Sequence, residues 1–155
     1  MLSTDPLEWS DTLLTGVVEI DRQHRILVDT LIEARTKLTG APADALFEQI
    51  TRDLLAYAIY HFNTEEQLMQ QHGYAPAAPA EAEFHLAEHR RFSQEVVALR
   101  AEARLGKTGA KAALLSFLEG WLVNHIMTVD KRLGQFIRSA PPSPTTVTEL
   151  PRHGE

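Results

Sequence analysis

The stretch HFNTEE places a histidine and a carboxylate four positions apart, at His61 and Glu65, within a segment that has the spacing of an amphipathic helix. Residues four apart lie on one face of a helix, so both side chains share the stripe that carries Leu54, Leu55 and Phe62. Burying an imidazole and a carboxylate among such apolar side chains is costly unless a partner compensates. A metal ion is one such partner, because both groups are common metal ligands.

Similar pairs recur along the chain. His85 and His89 lie four apart in HLAEH, and His125 precedes Asp130 by five positions in HIMTVD. His24 stands without such a partner in IDRQH. Each pair is a weak signal by itself, because exposed helical surfaces carry many of them. Whether they form one site depends on the helices that position them.

Four segments with helical periodicity predict four helices, at about 21–38, 43–72, 80–105 and 110–138. Pro42 suits the start of a helix, and Gly73 suits the position just after the end of one. No stretch has the alternation of a strand, and no internal repeat is present. Short connections favour antiparallel neighbours, so we predict an all-α fold, an up-down-up-down antiparallel four-helix bundle.

The segments outside the helices define the predicted domain limits. We expect residues 1–20 to form an irregular N-terminal arm that carries Trp9, and residues 21–138 to form the bundle. The Pro- and Thr-rich tail at 139–155 has almost no apolar content. A segment of that composition buries too little surface to fold, so we predict a disordered tail.

The composition excludes several classes of protein. A chain of 155 residues is long enough for one domain with its own core. The absence of cysteine excludes disulfides, thiolate metal sites and cysteine nucleophiles, and a net charge of -6 argues against a nucleic-acid partner. No run approaches the roughly 18 apolar residues of a membrane-spanning helix, and the N-terminus lacks a basic and then apolar signal. We therefore expect a soluble, cytoplasmic protein without membrane insertion.

The predicted topology brings the candidate ligands together. The starts of helices one and three lie at the same end of the bundle as the ends of helices two and four. At about 1.5 Å per residue, all seven candidates fall within roughly 6 to 20 Å of that end. Burying so many polar groups at one level is expensive, and bound metal compensates for it. His72 at a helix end and His153 in the tail are not expected to take part.

Counting the ligands predicts two metal ions. Seven candidate ligands exceed the three or four of a zinc site. Two octahedral ions accommodate all seven if both carboxylates bridge and a solvent-derived oxygen also bridges, which leaves one position open for a small external ligand. Imidazole-rich coordination of this kind suits iron better than magnesium or calcium, which prefer oxygen ligands.

The motifs IDRQH, HFNTEE, HLAEHRRF and WLVNHIMTVDKRL, in this order and spacing, resemble the hemerythrin family, especially the single-domain bacterial hemerythrins. The resemblance covers about residues 7–138, and the connection at 73–84 is about four residues longer than usual. It implies two iron ions per chain, joined by an oxo or hydroxo bridge. It assigns three histidines to one iron, two to the other and two carboxylates to both: His85, His89 and His125; His24 and His61; Glu65 and Asp130.

The resemblance also implies a function. Dioxygen would bind reversibly at the open position of the iron with two histidines, in an oxygen carrier, store or sensor that is not an enzyme. A sensor would need a separate, unidentified protein partner. The alternative is a di-iron enzyme, such as an oxidase or a peroxide- or nitric-oxide-handling enzyme, or an iron store. The excess of histidines over acids, and the lack of an obvious general acid or base in the motifs, favour binding.

Apolar residues that flank the ligands are expected to form the core and the dry wall of an oxygen pocket. Such a wall would slow the displacement of oxygen by water and protons. Glu66 points about 100° away from its neighbour Glu65 on a helix, so we expect it to be solvated. The predicted pocket residues are Phe62, Trp121, Leu122 and Ile126.

Overall fold

The computed structural model describes residues 9–38 and 43–139, and within these ranges it contains helices and no strand. A short 3₁₀ turn at Asp11–Leu13 comes first. The helices are α1 (Val18–Lys37), α2 (Asp44–His72), α3 (Tyr74–Ala77), α4 (Pro79–Arg104), α5 (Ala110–Asn124), a π-helical segment (His125–Asp130) and α6 (Lys131–Ser139). The prediction of an all-α fold is confirmed.

The last three helical elements form one continuous rod, because Asn124, His125 and Lys131 all keep right-handed helical dihedral angles. The four long rods pack in chain order: α1 on α2, α2 on α4, α4 on α5, and α5 back on α1. Contacts between His24 near the start of α1 and Glu65 near the end of α2 show that these rods run in opposite directions. The protein is a four-helix bundle.

Two apolar clusters fill the bundle, and the candidate ligands lie between them. On α1, His24 lies between Ile20 of the smaller cluster and Leu27 of the larger one. On α2, Glu65 lies between Phe62 of the larger cluster and Leu68 of the smaller one. The polar side chains therefore form a layer that apolar packing seals on both sides, and this packing holds their helices in register.

The connection between α2 and α4 is mostly helical. Gly73 ends α2 with a φ of 69°, the left-handed conformation that glycine adopts at low cost. Tyr74 begins the short helix α3, and its buried ring packs on Phe136 at 5.0 Å between ring centroids. Pro79 then occupies the first turn of α4. The longer connection predicted at 73–84 is thus taken up by α3 and by the start of α4.

The N-terminal arm is ordered where the structure describes it. Helix α1 begins at Val18, three residues before the predicted limit, because the carboxylate of Asp21 accepts hydrogen bonds from the backbone of Thr15 and Gly16 and fixes the turn into the helix. Arg138 donates to the Thr15 carbonyl at 3.1 Å and ties the arm to α6. Trp9 packs against the larger apolar cluster. Residues 1–8 and the predicted disordered tail from 140 onward lie outside the described residues.

The rod from Ala110 to Ser139 is long and apolar enough to cross a membrane by length and composition, with a hydropathy of 1.3 in its most apolar window. The core helix of a water-soluble bundle meets the same criterion, and this rod carries the buried polar residues His125 and Asp130. The helix is therefore weak evidence for a membrane span.

Candidate metal centre

The seven predicted ligands lie together in one buried cluster between the four rods. Each side chain is almost completely removed from solvent, the most accessible being His89 at 4%. The α1 helix supplies one residue, while α2, α4 and the fourth rod supply two each: His24; His61 and Glu65; His85 and His89; His125 and Asp130. The structure thus brings together all the residues that the topology placed at one level. His72 is exposed at the end of α2, and His153 lies outside the described residues.

A π-helical segment positions the one pair whose spacing does not suit an α-helix. Residues five apart in an α-helix point about 140° away from each other, so His125 and Asp130 would not share a face. The segment His125–Asp130 is instead a π-helix, whose hydrogen bonds span five residues. The wider turn brings His125 Nε2 to 2.9 Å from Asp130 Oδ1. Such interruptions of a helix are frequent at functional sites.

The histidines form two groups, and both carboxylates lie between them. Each carboxylate directs one of its oxygens to one group and its other oxygen to the second group. His24 Nε2 lies 2.8 Å from Asp130 Oδ2, and His61 Nε2 lies 3.0 Å from Glu65 Oε2. The opposite oxygens face the other group, since His85 Nε2 lies 3.2 Å from Glu65 Oε1 and 3.1 Å from Asp130 Oδ1. The candidate ligand atoms thereby form two groups that share both carboxylates, with all atoms of a group within 4.8 Å of one another: His24, His61, Glu65 and Asp130; and Glu65, His85, His89, His125 and Asp130.

The positions of these atoms suit binding to a cation better than hydrogen bonding to one another. Among the atoms without a hydrogen-bond partner are His61 Nε2, His125 Nε2, Glu65 Oε2 and Asp130 Oδ1, all of which are buried. Buried polar atoms are nearly always paired, because an unpaired one is costly. With bonds of about 2.1 Å, as for imidazole on zinc, ligands at right angles lie about 3 Å apart, which is close to the spacing found here. A metal in each group would satisfy the unpaired atoms.

The electrostatics of the cluster also require positive charge. Burial alone would lower the pKa of His61, but the carboxylates of Glu65 and Asp130 raise it to about 10. The pKa of His85 is raised to about 9 against the same effect of burial. Burial and Asp130 would raise the pKa of Glu65, but the neighbouring histidines lower it well below its usual value. The two carboxylates thus stay ionised and hold cationic charge between them, as protons on imidazole or as metal.

Three polar residues that sequence reasoning missed lie behind the histidines. His61 Nδ1 lies 2.7 Å from Gln23 Oε1, and His89 Nδ1 lies 2.9 Å from Glu66 Oε2. A third residue, Glu88, has its Oε1 3.7 Å from His125 Nδ1. The expectation that Glu66 is solvated agrees with a side chain that is 40% exposed, but its carboxylate also contacts a candidate ligand of a different helix. Helical periodicity within one segment cannot reveal such contacts between helices.

Aromatic side chains cover one side of the cluster. Phe62 stacks on His89 at 4.0 Å between ring centroids, and Trp121 stacks on His125 at 4.3 Å. Both, with Leu122, line a narrow apolar cavity of about 10 Å³. Three of the predicted pocket residues are thus adjacent to one apolar space, while Ile126 is fully buried in the larger apolar cluster.

The fold and the cluster define an all-α metal-binding protein. Residues 15–137 match the model of the hemerythrin HHE cation binding domain, so the chain belongs to the hemerythrin family and the resemblance seen in its motifs is confirmed. It is similar to the bacteriohemerythrin of Pseudomonas aeruginosa (strain LESB58), with 33% identity over 124 residues that cover 80% of this chain and 76% of that protein. The bacteriohemerythrin of Methylococcus capsulatus is 30% identical over 120 residues, covering 77% and 87%. A hemerythrin-like protein of Naegleria fowleri is 27% identical over 127 residues, covering 82% and 90%. Membership of this family implies that the cluster binds non-haem iron.

Proposed function

We propose that this protein binds dioxygen reversibly at a non-haem di-iron centre, as an oxygen carrier, store or sensor. The observation that carries the proposal is the division of seven buried candidate ligand residues into two groups that share Glu65 and Asp130. One ion would leave part of this cluster unsatisfied, whereas two ions side by side would use every member. The similarity to proteins named bacteriohemerythrin supports the same conclusion.

The residues divide unequally between the two ions. The group of His85, His89 and His125 would hold one iron, and His24 with His61 would hold the other, with the shared carboxylates on both. An oxo or hydroxo bridge would complete the pair. The iron with two histidines has fewer protein ligands, so the open position belongs there. Two ferrous ions held by these residues would supply the electrons for reversible binding of dioxygen.

The remaining task of the protein is to keep this position dry and free of proton donors. Apolar side chains that include Phe62, Trp121 and Leu122 line the narrow cavity, and the Phe62 ring lies 6.1 Å from the His61 ring between centroids. Behind the two-histidine group, the polar contact of His61 is Gln23, which in turn donates to Thr64 at 3.1 Å. Neither an amide nor a hydroxyl group of this kind serves readily as a general acid near neutral pH. This neighbourhood favours binding over turnover.

The optical spectrum of the reduced protein tests the proposal. We expect a visible charge-transfer band that appears when oxygen is added to the anaerobically reduced protein and fades when oxygen is removed. Irreversible oxidation with release of hydrogen peroxide and no reversible band would instead support the enzyme alternative. Elemental analysis of the same sample should give about two irons per chain, and one metal per chain, or mainly zinc, would contradict the di-iron centre.

A further inference from the structure

The three polar residues behind the histidines follow one rule around the bundle. Each is the immediate neighbour of a candidate ligand on its own helix, and each faces a ligand on the next helix. Gln23 of α1 faces His61 of α2, at 2.7 Å between Oε1 and Nδ1. The pattern continues with Glu66 of α2 facing His89 of α4, and Glu88 of α4 facing His125 of the fourth rod. Hydrogen bonds such as those to Gln23 and Glu66 orient imidazole rings at metal sites. The Glu88 contact, at 3.7 Å, is too long to be a hydrogen bond.

The hydrogen bonds around Gln23 determine which nitrogen of His61 is free. Thr64 uses its hydroxyl hydrogen to bond the Tyr60 carbonyl at 3.3 Å, so its oxygen accepts from the Gln23 amide nitrogen at 3.1 Å. The amide oxygen of Gln23 then faces His61, whose Nδ1–H donates to it at 2.7 Å. In the neutral ring, which is the form that binds metal, His61 Nε2 therefore carries the lone pair, and this atom lies in the cluster 3.0 Å from Glu65.

Glu66 performs the same task with a charged group. His89 Nδ1 donates to the Glu66 carboxylate at 2.9 Å, and His89 Nε2 faces the cluster, 3.1 Å from Glu65 Oε1. Glu66 lines a surface groove of about 690 Å³ together with residues such as Met69 and Leu86. Glu66 therefore approaches the cluster from the solvent side. The groove and the apolar cavity beside Trp121 have no lining residue in common.

We propose that Gln23 and Glu66 are positioning residues that make the two irons electronically unequal. The inference rests on the proposed function. A carboxylate that accepts a hydrogen bond from a ligand histidine raises the basicity of the imidazole more than a neutral amide does. The three-histidine iron, which has His89 and Glu66 behind it, is therefore the ion that better stabilises the ferric state. The two-histidine iron, with only the Gln23 amide behind His61, retains more ferrous character and is the one left to bind an external ligand.

Two exchanges that preserve shape and alter charge test the proposal. Glu66→Gln keeps an oxygen for His89 but removes the carboxylate, so we expect the reduction potential of the iron pair to rise. Gln23→Glu adds a carboxylate behind His61, and the Thr64 hydroxyl can turn to donate to it, so we expect the potential to fall. Glu83→Gln removes one exposed carboxylate elsewhere on α4 and serves as the control, which should leave the potential unchanged because solvent and salt screen it.

The direction and the location of the effect distinguish this role from a purely structural one. In Mössbauer spectra of protein loaded with ⁵⁷Fe, Glu66→Gln should shift the signal of the three-histidine iron. Gln23→Glu should shift the signal of the two-histidine iron. Glu66→Ala should also speed iron loss to a chelator, by roughly tenfold, because it removes the partner of His89. The inference would be overturned if both exchanges shifted the reduction potential equally in the same direction. It would also be overturned if the folded, iron-loaded variants kept the wild-type potential. If Gln23→Glu does not fold, Glu66→Gln with its control still decides the sign. Failure of the proposed function is separate, since it would appear in the wild-type protein as a missing second iron or an absent reversible band.

Discussion

Replacing Leu122 by alanine should enlarge the apolar cavity beside the cluster and destabilise the fold by a calculable amount. Leu122 is 5% exposed and lines that cavity. Measured replacements of buried leucine by alanine cost about 2.7–5 kcal/mol. For a chain of this length, each kcal/mol lowers the melting temperature by about 2–4 °C, so we expect a loss of roughly 5–20 °C. Thermal unfolding followed by circular dichroism measures it.

The same replacement should shorten the lifetime of the oxygenated protein. A purely apolar cavity stays dry even when it is enlarged. This cavity differs because Phe62 and Trp121 in its wall stack directly on His89 and His125, so water that enters finds polar partners in the cluster. We expect several-fold faster decay to the diferric state, followed by absorbance after oxygen is added, with two irons still bound.

Leu114 provides the matched control. It lies on the same helix, is completely buried, and precedes His125 by eleven positions, about 16 Å along the axis. Leu114→Ala should lower the melting temperature by a similar amount without changing the decay rate. An unchanged decay rate in Leu122→Ala would remove Leu122 from the functional wall. Equal acceleration in both variants would show that general loosening of the bundle, rather than the local cavity, admits water.

The remaining predictions concern the ligands and the tail. His85→Ala or His125→Ala should lose iron and stability together, by about 3–5 kcal/mol, because buried carboxylates are left uncompensated and metal binding stabilises the native state; iron analysis and thermal unfolding check this, and a variant with full iron and an unchanged melting temperature would contradict the ligand assignment. His72→Ala and His153→Ala are the controls and should retain full iron. Deleting residues 141–155 should change neither oxygen binding nor the melting temperature, since the tail has little apolar surface; a loss of several degrees would show that it docks on the bundle.

Periodicity predicted most of the fold because helix formation and burial are both recorded in local spacing. The apolar stripe that holds Leu54 and Phe62 defines α2, and Gly73 marks its end. Spacing of four residues also placed His61 beside Glu65. What the sequence could not supply was the π-helical turn at His125–Asp130, because a local change of helical pitch depends on packing between helices.

Contacts between helices explain the other differences. Glu66 faces away from the stripe of its own helix, so periodicity assigns it to solvent, yet it reaches His89 of the neighbouring helix. Gln23 gives no signal in its own segment for the same reason. The start of α1 at Val18 depends on the Asp21 carboxylate folding back onto the backbone of Thr15. Such partners become apparent only when the helices are placed in three dimensions.

The amount of dioxygen taken up and returned by the reduced protein tests the central claim most directly. Two irons that share Glu65 and Asp130 predict one dioxygen bound per chain, or one for every two irons, at saturation. Lowering the oxygen pressure should release the same amount as dioxygen, and repeated cycles should give the same uptake. Uptake that is not returned, with hydrogen peroxide or water as the product, would contradict reversible oxygen binding at this centre.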